Sequence, residues 1–154
     1  LLYVPISDFP AGLDLSAEPT PGLYALSLDD GSVQWFAAKD FSAQAREALG
    51  FWPGLSAGIV AADGIVVSGD LAGQLEVYDA VSGKILWRYK TARSFITVNG
   101  REAEGGSIDA HGPLLVDDLL LVSSGYAGVG MDGGNAFLVF QLAESIDGSG
   151  SEPE

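Results

Sequence analysis

The sequence predicts an all-β chain, a partial β-propeller of about three four-stranded antiparallel blades. Three observations carry that expectation. Leu23–Trp35 reads LYALSLDDGSVQW and Leu75–Trp87 reads LEVYDAVSGKILW, so the glycines at 31 and 83 and the tryptophans at 35 and 87 recur 52 positions apart. A second pair, SAGIVAADGIVV from Ser56 and AHGPLLVDDLLL from Ala110, places Gly58 against Gly112 at an offset of 54. A strand-rich unit of roughly 50 residues is the period of propeller blades. Finally, Ala62-Asp63-Gly64 and Val81-Ser82-Gly83 punctuate apolar runs with residues that tolerate the positive φ of tight turns.

The elements follow in order. Each unit is read as strands A to D, and the blades as about 1–36, 37–89 and 90–142. The first unit holds B (1–6), C (22–28) and D (32–36). Its opening, Leu1-Leu2-Tyr3-Val4-Pro5, reads as mid-strand without Met, which points to a fragment whose N-terminal part, with any signal peptide, is missing. Residues 42–49 (SAQAREAL) are the one stretch of helical composition, with Ser42 as cap and Gly50 as stop. The middle unit carries A (57–62), B (65–69), C (74–79) and D (84–89). The last unit carries A (113–117), B (119–124) and C (136–142), with no D. The small, acidic stretch 143–154 is expected to be a disordered tail.

Composition removes several functions. Seven Lys and Arg stand against 21 Asp and Glu, a net charge of −14 that repels phosphate backbones and argues against nucleic-acid binding. No apolar run approaches the roughly 18 residues that span a bilayer. With no Cys there is no disulfide, thiolate metal site, Cys nucleophile or haem attachment motif in this chain. The single His111 excludes a multi-His metal site.

Loop lengths point to a functional face. A–B and C–D turns take two or three residues, whereas the B–C and D–A connections are mostly long: 7–21, 37–56, 90–112 and 125–135. Long loops gathered on one end of a rigid scaffold are where binding concentrates. Residues 91–112 hold the densest set of useful polar groups. Asp109 and His111 lie just before an innermost strand, at the rim of the expected channel. Asp109 reads as a general base or an oxygen ligand for calcium, or equally as a cap beside Gly106 and Gly112. His111 reads better as structural. Arg93 either clamps a carboxylate or makes an ordinary ion pair, and Asn99-Gly100 is compatible with a plain turn. Trp52 either touches a planar ligand or covers the core. Trp35 and Trp87 read as blade-to-blade packing. The glycine-rich 125–135 has no helix after it to hold phosphate.

The stretch Leu75–Trp87, with Asp79, Ser82, Gly83 and Trp87, resembles the A-x-D-x-x-T-G-x-x-x-W blade signature of quinoprotein propellers. Leu23–Trp35 resembles it too, with Ser27 in place of the Asp. A narrower resemblance joins Val4–Asp8, Tyr89–Arg93, Thr97–Gly100, Gly105–Asp109, Ser124–Tyr126 and Gly134-Asn135, in that order, to the C-terminal third of polyvinyl-alcohol-dehydrogenase-like proteins.

The resemblance implies the C-terminal blades of an eight-bladed, pyrroloquinoline-quinone (PQQ)-dependent alcohol dehydrogenase. It further implies calcium as a second cofactor, a cytochrome c or haem c domain as electron acceptor, and a periplasmic or secreted location. Asp109 is the candidate base and metal ligand. Arg93, Asn99, Trp52, Tyr126 and Asn135 are the candidate cofactor contacts. The alternative is a non-catalytic propeller serving as an outer-membrane or periplasmic assembly scaffold. In either case, three blades alone leave two open apolar flanks, and self-association of the isolated chain is expected.

Overall fold

The computed structural model describes residues 1–7, 20–39, 54–128 and 131–141. Every regular element among them is a strand. β1 (Leu2–Ile6), β2 (Gly22–Leu26) and β3 (Val33–Ala38) form a first sheet, and β4 (Val60–Ala62), β5 (Ile65–Gly69), β6 (Gln74–Asp79) and β7 (Ile85–Lys90) a middle one. A separate hairpin of β8 (Ser94–Ile96) and β9 (Glu102–Glu104) follows, then a last sheet of β10 (Leu114–Val116), β11 (Leu119–Ser124) and β12 (Ala136–Gln141). All pairings are antiparallel between successive strands, which is the meander the repeat demanded.

Expected strand positions agree with these to within a few residues, with one correction. Residues 90–112 are not one long loop. Asn99-Gly100, with Gly100 at φ +75, closes the β8–β9 hairpin, and Thr97 N–H donates to the Arg101 carbonyl at 2.8 Å. The proposed helix at 42–49 and the tail at 143–154 lie outside the described residues, as does Trp52.

Alternation along the strands explains the packing. Each sheet buries one face against each neighbour. The first sheet's inner face, with Leu23, Tyr3 and Trp35, meets Val66 and Tyr78 of the middle sheet. The middle sheet's opposite face, with Val67, Leu75 and Tyr89, meets Leu120, Val122 and Phe140 of the last sheet. The tryptophans sit as the repeat predicts. Trp35 lies 6.2 Å from the Tyr78 ring, nearly parallel to it, and Trp87 meets Phe140 edge-on at 5.2 Å.

The blade signature is a turn device. Asp79 Oδ1 accepts from Ser82 N–H at 2.7 Å and Ser82 Oγ–H at 2.6 Å. These bonds hold the carboxyl of Asp79 below its ordinary value. Gly83 then turns at φ +70, and a side chain there would run into the Trp35 ring. So the glycine serves both the turn and the neighbouring sheet.

Candidate functional site

The β5–β6 and β11–β12 connections and the run-ins to β4 and β10 share one end of the sheets, opposite the tight turns at 63–64 and 117–118. There a cleft of about 340 Å³ opens, lined among others by Asp109, His111, Ser124, Tyr126, Asn135 and Phe137. Three of the sequence-predicted residues therefore meet: Asp109, Tyr126 and Asn135.

Backbone close approach builds this site. Gly58 and Gly112, equivalent in the repeat, touch across the boundary between the middle and last sheets. A Cβ on Gly112 would strike the Gly58 carbonyl, and Gly58 N–H donates to the Ala110 carbonyl at 3.0 Å. Ala110 (φ +55) and Gly112 (φ +65) both take left-handed conformations, an uncommon state for alanine. The kink aims the half-buried Asp109, whose Oδ1 accepts from Ser56 Oγ–H at 2.7 Å. Just upstream, Ile108 is buried in the core and Ser107 is tied on three sides. Ser107 Oγ–H donates to the Leu71 carbonyl (2.5 Å), its N–H donates to Asp132 O (2.8 Å), and its carbonyl accepts from Tyr126 N–H (3.0 Å).

The hairpin holds the other wall. Asn135 N–H donates to the Glu104 carbonyl at 2.7 Å, and its side-chain oxygen accepts from Glu104 N–H at 2.9 Å. The side-chain NH2 is left as the donor that Asn135 can offer to a ligand. Ser124, buried beneath, donates to Thr91 Oγ1 at 2.8 Å and accepts from Gly106 N–H at 3.0 Å.

The remaining candidates stand apart. Arg93 is exposed, hydrogen-bonded to the Tyr89 hydroxyl and lying 4.9 Å from both the Tyr89 and Phe95 ring centres. Asn99 is in the hairpin turn, accepting from Thr97 Oγ–H at 2.5 Å. Neither lines the cleft. Among the described residues, no group of three or more His, Cys, Asp or Glu side chains is arranged to hold a metal.

A second polar cluster was not foreseen. Lys39 Nζ donates to Asp70 Oδ2 at 3.0 Å and to Glu76, while Arg88 Nε donates to Glu76 at 2.6 Å and the Tyr78 hydroxyl donates to the same carboxylate. Asp70 and Glu76 are both buried. Burial alone would push Glu76 up, but Lys39, Tyr78 and Arg88 together hold its carboxyl below the ordinary value. Burial chiefly, helped by the bond to Glu76, pushes Tyr78 up to about 12. This cluster bridges the first and middle sheets. Its members are up to 49 positions apart, so nothing local in the sequence announces it.

Comparison with known proteins identifies a family. The family model PQQ_2, described as outer membrane protein assembly factor BamB, matches residues 20–147. A polyvinylalcohol dehydrogenase from Pseudomonas sp is 33% identical over 109 residues, covering 70% of this chain and 17% of that protein. One from Sphingopyxis sp. (strain 113P3) is 30% identical over 135 residues, covering 83% of this chain and 21% of that protein. The chain thus spans about a fifth of the length of the curated relatives it matches. Among solved structures, BamB from Moraxella catarrhalis matches with a TM-score of 0.46 and 20% identity, over 68% of this chain and 25% of that one. The repeat, the signature turns and the match over residues 20–147 lead to one conclusion: the chain belongs to the PQQ_2 family of β-propeller proteins.

Proposed function

We propose that this chain is part of a PQQ-dependent alcohol dehydrogenase of the polyvinyl-alcohol-dehydrogenase type, and that the cleft at Asp109 holds the alcohol hydroxyl. The supporting observation is the convergence of Asp109, Tyr126 and Asn135, from the run-in to β10 and the β11–β12 connection, on one cleft. The two dehydrogenase-named relatives point the same way.

The lining suits an alcohol and the neutral edge of a quinone: one carboxylate, one imidazole, one phenol, one amide and serine hydroxyls. It holds no Lys or Arg to face a cofactor's carboxylates. Among the described residues no group of three or more His, Cys, Asp or Glu side chains is arranged to hold calcium, and no step here runs through a metal. Asp109 and Ser56 carry the chemistry that this chain can supply. Asp109 accepts the hydroxyl proton as the alcohol carbon becomes a carbonyl, and the hydride leaves that carbon for the acceptor. Ser56 Oγ–H holds one carboxylate oxygen, Oδ1, and the proton acceptor assigned here is the other. A bound quinone supplies the two-electron acceptor. Calcium, a cytochrome c or haem c domain as acceptor, and a periplasmic or secreted location belong to the same reading. Cofactor roles for Arg93 and Asn99 place those contacts outside the cleft, which neither lines, and a role for Trp52 completes the reading.

The test uses the gene product at native length, with PQQ and calcium added and dye-linked oxidation of secondary alcohols as readout. Asp109→Asn should lower kcat by about 100-fold or more with quinone binding retained. Full activity of that variant would remove Asp109 from the reaction. A wild-type protein with neither activity nor quinone affinity would leave the second reading, an outer-membrane or periplasmic assembly scaffold, which the family description favours.

A further inference from the structure

The chain carries two asparagines, Asn99 and Asn135, and they stand in opposite surroundings. The amide oxygen of Asn135 accepts from Glu104 N–H, and Ala136 after it is buried in the ladder opposite Ser124. Asn99 and Gly100 are exposed at the tip of the β8–β9 hairpin, outside both strands. That hairpin is held by the pairs Ser94 with Glu104, Phe95 with Ala103 and Ile96 with Glu102, and its strands join no other sheet. Such short two-stranded elements open locally at little cost.

The tip brings together the parts of a reaction. Asparagine amides are among the labile side chains of proteins. Here the residue that follows is a glycine, and a Cβ built on it would meet nothing within 4 Å, so its backbone nitrogen is unshielded. Thr97 Oγ–H donates to Asn99 Oδ1 at 2.5 Å, which draws electron density from the amide carbon and stabilises negative charge on that oxygen. The nitrogen is restrained by the bond from Gly100 N–H to the Thr97 carbonyl at 2.9 Å, and a brief opening of the tip releases it.

We infer that Asn99 is a site of spontaneous deamidation, which the fold leaves unprotected. In the opened tip the Gly100 N–H proton passes to water or hydroxide. The nitrogen attacks Asn99 Cγ, a new Cγ–N bond forms, and the charge that develops on Oδ1 meets the Thr97 hydroxyl. The Cγ–Nδ2 bond then breaks and ammonia leaves with a proton, closing a cyclic imide. Water opens the imide at either carbonyl, giving aspartate, or isoaspartate whose main chain runs through the side-chain carbon. The sequence is a substitution throughout, with nothing oxidised or reduced. Either product adds a negative charge to a chain already at −14. Isoaspartate also lengthens the turn, so Thr97 N–H and the Arg101 carbonyl, 2.8 Å apart in the hairpin, lose their register.

The chain's own arginines make the test direct. Trypsin cuts after Arg93 and Arg101 and releases residues 94–101 with Asn99, while Asn135 stays in the peptide that begins at Glu102. The native-length gene product is incubated for days in mildly alkaline buffer, beside a sample unfolded in guanidinium chloride, and both are digested and weighed by mass spectrometry. In the folded sample peptide 94–101 should gain about 1 Da, the exchange of an amide NH2 for OH, and split on chromatography into two products of equal mass. Conversion should proceed within the same days as in the unfolded sample and quicken as pH rises, with the Asn135 peptide unchanged. Gly100→Ala, which adds a methyl beside the attacking nitrogen, should lose most of the conversion. A mass gain confined to the unfolded sample overturns the inference, because the fold then protects the tip. So does an equal gain at Asn135 in the folded protein, or a Gly100→Ala variant that converts as fast as the wild type.

Discussion

Trp35 Nε1–H donates to the Ala80 carbonyl at 3.0 Å, across the boundary between the first and middle sheets. The Tyr3 hydroxyl donates to the same oxygen, also at 3.0 Å. One turn carbonyl thus receives two donors from the neighbouring sheet, while the Trp35 ring covers Gly83 beside it. Trp35→Phe should cost about 1 kcal/mol, because Tyr3 still satisfies the carbonyl. Trp35→Ala should cost about 3 kcal/mol, the lower end for a large aromatic, since the ring is only half-buried. Urea unfolding of the two variants beside the wild type measures both.

Lys39→Met should destabilise by about 3 kcal/mol, as it removes the ion pair of the buried Asp70 and leaves the buried Glu76 to Arg88 and Tyr78 alone. Lys39→Met with Glu76→Gln should recover part of that loss, and a double variant whose cost is the sum of the two single-variant costs would show that the two do not interact.

Acid should weaken the same boundary. Glu76 is held below its ordinary value of 4.5, so its contribution is fully present above that pH and is lost as pH falls through the depressed folded value. The base side has the opposite sign. Tyr78 is raised from 10.0 to about 12, so its contribution is full below 10 and fades as pH rises toward 12. Urea midpoints should therefore be flat through neutrality and fall at both extremes. Glu76→Gln should flatten the acid limb.

Gly112→Ala should cost about 1–3 kcal/mol, because the new methyl meets the Gly58 carbonyl in a left-handed backbone. Gly64→Ala is the control: Gly64 also has positive φ (+83), but nothing lies within 4 Å of a Cβ there, so about 1 kcal/mol is expected. Thermal melts of both variants separate backbone strain from collision.

Ser56→Ala should lower kcat by about 5- to 10-fold, the equivalent of one lost hydrogen bond to Asp109, with KM little changed. Ser56→Thr keeps the hydroxyl and should restore most of the rate. Steady-state kinetics on the native-length gene product reads both.

The strands were legible because turn residues mark them: Asp63-Gly64 and Ser82-Gly83 leave little freedom in register. The β8–β9 hairpin was readable too. Asn99-Gly100 is flanked by Phe95-Ile96 and a short alternating segment, which is a hairpin signal, yet the surrounding polar groups read as loop. The cleft was legible only in part. Asp109 stands out beside Gly112, but Ser56 lies 53 positions away and meets it only through the packing of two run-ins. Glu76 illustrates the limit. In the alternation of Leu75, Glu76 and Val77 it reads as the solvent side of a strand, and only the arrival of Lys39 from another sheet makes that side interior.

The β8–β9 hairpin pairs with no other sheet, and its base is clamped by Gly105 N–H to the Arg93 carbonyl at 2.9 Å and by Glu104 to Asn135. Its tip is therefore a natural site for engineering. A short tag spliced between Val98 and Gly100 would project into solvent and leave the scaffold undisturbed, whereas the same insertion at Glu104 would release Asn135 from the cleft wall.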